Sequence, residues 1–153
     1  MANLPEEVDV VVVGGGVMGA SAAFHLAEAG VSVLLVEKNE LASGSTSKAA
    51  GGVRANFSDE LNIAMGARSL DLLADFPNRP GQEIDLHRPG YMFALSTQED
   101  VELFEKSTAL HIAAGVESRM LTPQEAKELN PLLEIDGILA ASFTPNDGYC
   151  TPE

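Results

Sequence analysis

Gly14, Gly16 and Gly19 follow the apolar run Val8 to Val13 in the spacing Gly-x-Gly-x-x-Gly, and Glu37 closes a second apolar run 18 residues after Gly19. Between a strand and a helix this spacing has a chemical use. Gly14 permits a tight turn, Gly16 removes a side chain where a pyrophosphate approaches the backbone, and Gly19 lets helix and strand pack closely. The helix start adds free N–H groups and the positive end of its dipole. Glu37 is placed to accept hydrogen bonds from both hydroxyls of an adenosine ribose, and its charge would repel a 2′-phosphate, so NAD or FAD is expected rather than NADP. The turn and the acid together do not separate FAD from NAD.

The elements that must position these residues are legible nearby. Val8 to Val13 is a near-continuous β-branched run, expected as a parallel strand buried on both faces. A helix is expected from about Val17 to Ala29, with Ala20, Ala23, Phe24 and Ala27 on one face and Gly30 as its stop. Val31 to Val36 then gives a second strand, so Val8 to Glu37 forms a β-α-β unit. Leu41 to Gly52, rich in Gly, Ser and Ala, reads mostly as a loop. Ser58 is expected to cap the next helix, which has Asp59 and Glu60 in its first turn, Ile63, Ala67, Leu70 and Leu73 at helical spacing, and an end before Pro77. Beyond Pro80 come a strand over Tyr91 to Leu95, a helix near Gln98 to Ala114, a short helix after Pro123 and a strand near Ile138 to Phe143. No internal repeat is visible.

Composition narrows the classes. The 153 residues are 45% apolar and 5% aromatic, enough for a real core, and the abundant Ala, Val and Leu suit helices packed on a buried sheet, so the expected class is α/β. Nine Lys and Arg against 23 Asp and Glu give a net charge of −14, which repels phosphate backbones and anionic lipid surfaces, so nucleic acid is not an expected partner. Glu6, Glu7 and Asp9 stand where a secretory signal would be basic, and the long apolar stretch is broken by glycines, so no membrane span is expected. Cys150 is the single cysteine; it permits no intrachain disulfide, which fits a reducing, cytoplasmic location.

Taken together, DVVVVGGGVMGASAAFHLAEAGVSVLLVEK, LASGSTSKAAGGVR up to Arg54 and the late DGYCTPE resemble the D-amino-acid oxidase superfamily of flavoproteins, especially its glycine oxidase and sarcosine oxidase β-subunit branch. The resemblance implies a Rossmann-type FAD-binding β-α-β domain and the beginning of an α+β substrate domain, incomplete at its C-terminal end. It implies that Val17 and Met18 reach the pyrophosphate through their backbone and that Glu37, flanked by Lys38, binds the adenosine ribose. Ser45, Thr46 and Ser47 would reach the pyrophosphate and ribityl chain. Ala50, Gly51 and Gly52 would pass beside the isoalloxazine ring, where larger side chains would occupy the space of flavin or substrate. Arg54 resembles in its place an arginine that in some sarcosine-oxidase-like members holds a substrate carboxylate, which a guanidinium grips bidentately. The loop differs from those members on both sides of Arg54, so a surface salt bridge or a flavin contact stays open beside that role. Neither His nor Cys occurs between Ser43 and Arg54, so the flavin is expected to be non-covalent.

The chemistry so implied is oxidation of the C–N bond of an amino acid or secondary amine of the sarcosine, glycine, proline or D-amino-acid type, with hydride passing from the α-carbon to flavin N5. The protein's share is to orient that carbon, hold the carboxylate and favour the neutral amine; no residue is singled out as catalytic. Two alternatives are a non-catalytic nucleotide-binding subunit of a multi-subunit amine dehydrogenase complex, with partner subunits, and an NAD-dependent dehydrogenase. Family members are longer, so the chain is expected to be an amino-terminal portion: 1–80 from the FAD-binding domain, 81–145 opening a substrate-binding domain, and 146–153 returning toward the first. Alone it should show little or no stable flavin binding and no turnover. His25, His87 and His111 are isolated, and no metal is expected. His87 and Arg88, before the Pro89-Gly90 turn, read as loop residues, and Cys150 as an inert thiol.

Overall fold

The computed structural model describes residues 4–152. Of these, 4–50 and 152 form one compact unit, and Gly51–Thr151 form another.

The first unit is the β-α-β crossover: β1 (Val10–Val13), α1 (Val17–Glu28) and β2 (Val33–Val36). β1 and β2 pair in parallel, with Val10 opposite Val33 and Val13 opposite Val36. The helix stop is the one Gly30 announces. Gly30 lies at φ +82, its N–H reaches the Ala27 carbonyl, and the N–H of Val31 reaches that of Leu26, so the last carbonyls of α1 are satisfied by a left-handed closing turn. One expectation is corrected. β1 is not buried on both faces: Val11 is 52% and Val13 83% exposed. Val12 faces α1, lying within van der Waals reach of the space above Gly19, whereas a two-stranded ribbon with a helix on one side leaves the alternate side chains of β1 on the other.

The second unit contains β3 (Gly52–Val53), α2 (Glu60–Ala74), β4 (Tyr91–Leu95), α3 (Gln98–Ala113), β5 (Arg119–Leu121), α4 (Pro123–Leu129), β6 (Ala140–Thr144) and β7 (Gly148–Tyr149). β4, β6 and β5 make an antiparallel sheet in that order, and its central strand is buried from Ala141 to Thr144. Leu121, Ala126, Ala141 and Phe143 form a core, with Met92 and Leu133 against it. The helices begin where short polar side chains can take their first amides. Asp59, not Ser58, caps α2 by accepting from the N–H of Asn62, because Asp59 is the last residue with extended backbone. Thr97 caps α3, and Thr122 with Glu125 forms a capping box on α4 behind Pro123. β3, β5 and β7 were not expected: two or three residues are too few to show an alternation. β6 runs Ala140–Thr144, two residues later at its start than the expected Ile138.

β3 and β7 pair antiparallel, Gly52 opposite Tyr149, and Tyr149 exchanges both backbone hydrogen bonds with His87. This brings the stretch after residue 51 beside the stretch before residue 152.

Candidate functional site

In the first unit the glycine turn, Glu37 and Thr46 come together. Gly19 is needed for the packing of α1, since a Cβ there would collide with the Gly14 carbonyl oxygen. Glu37 accepts the N–H of Gly15 on Oε2 at 2.7 Å and that of Asn39 on Oε1 at 2.9 Å. The Gly15 N–H, followed by that of Asn39 and by Lys38, holds the Glu37 carboxyl below the usual carboxylate range. A carboxylate offers about four lone-pair sites, so each oxygen keeps acceptor capacity for a sugar hydroxyl. Thr46 Oγ1 accepts the N–H of Val17 at 3.0 Å, and Ala42, at φ +61, donates its N–H to the Gly15 carbonyl. The Ser/Thr-rich loop is therefore a run of turns pinned to the glycine turn.

What remains open is as informative. The cap residue Gly16 brings no side chain to the start of α1, and the N–H groups of Gly16, Met18 and Gly19 have no hydrogen-bond partner among the described residues. Unpaired donors at a helix N-terminus attract an anion. Val17 and Met18 turn their side chains outward, 61% and 81% exposed, so only backbone faces the turn, and of the two amides expected at the pyrophosphate only that of Met18 is open, the Val17 N–H being taken by Thr46. These observations fit the pyrophosphate of a dinucleotide. Ser45 and Ser47 make no side-chain hydrogen bond among the described residues; Lys38 is exposed, and Ala50 ends the unit.

In the second unit Gly51, at φ +76, accepts the N–H of Cys150, and Gly52 lies in β3. Arg54 follows. Its guanidinium stands 5.5 Å from the Phe57 ring centre, 5.2 Å from that of Tyr91 and 5.7 Å from that of Phe93. Tyr91 and Phe93 share one face of β4 by strand alternation, which makes a ring platform for a cation. Among the described residues Arg54 makes no hydrogen bond or ion pair, so its donors are free. Arg54 and Phe57 also line a cleft of about 350 Å³ with Asn62, Met65 and Gly66 of α2.

Elsewhere, His87 pairs with exposed Asp85 at 3.0 Å and stacks on Tyr149, and Arg88 Nε donates to the Asn146 carbonyl. Both hold loop to turn. Burial pushes the Cys150 thiol up, away from thiolate. His111, expected as an isolated residue, is fully buried and bonded on both ring nitrogens. Sequence reasoning missed Asn56, Thr144 and Asp147, which bond to one another's segments across the second unit. Of these only Asp147 carried a signal, as the first residue of DGYCTPE.

The chain is similar to known proteins. The chain is 35% identical over 149 residues to the mitochondrial dimethylglycine dehydrogenase of Rattus norvegicus, covering 96% of this chain and 17% of that protein. Among solved structures it resembles L-proline dehydrogenase from P. horikoshii, with a TM-score of 0.90 and 38% identity over 97% of this chain and 39% of the other. It also resembles glycine oxidase from Geobacillus kaustophilus, with a TM-score of 0.79 and 28% identity over 95% and 41%. The chain thus spans well under half the length of these relatives. Residues 9–153 match the family described as FAD dependent oxidoreductase, DAO, and the chain belongs to that family.

Proposed function

We propose that the whole protein oxidises the C–N bond of an α-amino carboxylate, with this chain supplying the cradle for the adenosine diphosphate half of FAD and an arginine for the substrate's carboxylate. The observation that carries the reading is the set of unpartnered amides at the start of α1, next to a carboxylate kept ionised by the Gly15 N–H. FAD, when bound, supplies the hydride acceptor.

The chain's own residues have four tasks. The N–H groups of Gly16, Met18 and Gly19 take phosphate oxygens, with the dipole of α1 favouring their charge. Glu37 accepts from the ribose hydroxyls with its remaining lone pairs, Lys38 flanks it, and the Ser45, Thr46 and Ser47 hydroxyls line the polar chain of the cofactor. Ala50, Gly51 and Gly52 leave room for the ring. Arg54, with no hydrogen-bond or ion-pair partner among the described residues and steadied by three rings, offers its planar fork to a carboxylate. Dimethylglycine, proline and glycine, the compounds in the relatives' names, share that carboxylate one carbon from nitrogen, which is the feature such a fork would select.

Anaerobic addition of glycine, sarcosine, dimethylglycine, proline or D-amino acids to the flavin-loaded whole protein tests the reading. Bleaching of the flavin band by one or more of them, and not by methylamine or pyrrolidine, is expected. Bleaching that ignores the carboxylate, or none with any amine, would contradict it.

A further inference from the structure

The peptide that follows Arg54 is held by side chains from distant parts of the second unit. Asp147, fully buried in the turn between β6 and β7, accepts the N–H of Ala55 on Oδ1 at 2.9 Å and that of Asn56 on Oδ2 at 3.3 Å. Thr144 Oγ1, also fully buried, accepts from Asn56 Nδ2 at 2.7 Å. His111 Nε2 on α3 donates to the Phe57 carbonyl at 2.7 Å, while its Nδ1 faces Ser118 Oγ at 3.1 Å. α2 comes equally near, since a Cβ on Gly66 would stand 2.8 Å from the Arg54 carbonyl oxygen and 2.9 Å from Ala55 Cα.

None of these groups pairs with the guanidinium; all of them fix backbone or the Asn56 amide. A buried carboxylate is an expensive way to satisfy two amides, because the charge loses its hydration, and burial does push the Asp147 carboxyl up despite the N–H groups of Ala55 and Asn56 and the charges of His111 and Arg54. What such a carboxylate provides is a rigid, two-oxygen anchor at one peptide. A long flexible side chain keeps a defined direction only when its own backbone is fixed and its shaft is packed.

We propose that Asp147, together with Thr144 acting through Asn56, positions Arg54: the anchored 55–56 peptide keeps the guanidinium over Tyr91, Phe93 and Phe57 with its donors free for a substrate carboxylate. This rests on the reading of Arg54 as the carboxylate grip. Asp147 and Thr144 touch no substrate; they act through the arginine.

The test uses the flavin-loaded whole protein, an α-amino carboxylate substrate, and the variants Asp147→Asn, Thr144→Val, Arg54→Met and the doubles with Arg54→Met. In Asp147→Asn an amide N–H₂ would face one of the backbone N–H groups. Its KM is expected to rise about 10- to 100-fold, the scale of a misplaced binding group, with kcat changed by less than about threefold. In the Arg54→Met background neither Asp147→Asn nor Thr144→Val should raise KM further, because both act through a residue already gone. Thr144→Val carries the test if Asp147→Asn fails to fold, with a rise of about 3- to 10-fold for the loss of one neutral hydrogen bond. Unchanged KM values beside a raised one in Arg54→Met, or equal losses in both backgrounds, would overturn the positioning role while leaving that of Arg54 standing. A KM indifferent to Arg54→Met sinks the arginine reading, and the inference with it.

Discussion

The glycine turn and the peptide after Arg54 treat backbone polar groups in opposite ways. At the start of α1, three amides are left without partners among the described residues and the flanking apolar side chains of Val13 and Met18 are more than 80% exposed. At 55–57 the polar groups are paired, to Asp147, Thr144 and His111, with Ala55 and Asn56 buried. Unpaired donors at a helix start are open to water or to an anion; a closed network marks a frame. On the proposed reading the first region binds, and the second aims a neighbouring side chain.

Substitutions that reverse these roles should separate the two regions. Gly19→Val forces a side chain onto the Gly14 carbonyl, and overpacking of about 3 kcal/mol converts to about 100-fold weaker FAD retention, read as flavin absorbance per protein after gel filtration. Arg54→Met should lower kcat/KM for a carboxylated amine by about 2–3 kcal/mol, the scale of a charge-assisted pair, with flavin content unchanged; loss of flavin instead would move Arg54 to the cofactor side.

Two pH profiles give smaller effects of opposite sign. Asp147 has its folded pKa raised by burial, so its contribution to stability is complete below the unfolded value and is lost as pH rises through the folded one. The Tm advantage of the wild type over Asp147→Asn should accordingly shrink on going from acid toward neutral pH. Glu37 is lowered, chiefly by the Gly15 N–H, so its contribution is present above the unfolded value and lost as pH falls through the folded one. There the gap between wild type and Glu37→Gln should close in acid, and a gap that widened would contradict the hydrogen bonds assigned to that carboxylate.

The contrast also explains what the sequence made legible. The cradle is local: Gly14, Gly16, Gly19 and Glu37 lie within one crossover, so a spacing rule and a strand-helix-strand pattern were enough to expect them. The family followed from that stretch taken together with LASGSTSKAAGGVR and DGYCTPE. Asp147 and Ala55 are 92 positions apart, and no periodicity links them; only pairing of β3 with β7 and of β4 with β6 brings them together. His111 looked isolated for the same reason, since its partners come from a turn seven residues on and a loop 54 residues back. The exposed face of β1 was misjudged because a valine run reports that burial is possible, not which neighbour supplies it.

On the proposed reading the crossover unit holds the adenosine end of FAD rather than of NAD. Titrating the apo form of the whole protein with FAD and, separately, with NADH addresses it directly. Saturation by one equivalent of FAD, with no response to NADH and a weakened FAD response in Glu37→Gln, is the outcome expected. Stoichiometric NADH binding by a protein that does not retain FAD would contradict the assignment.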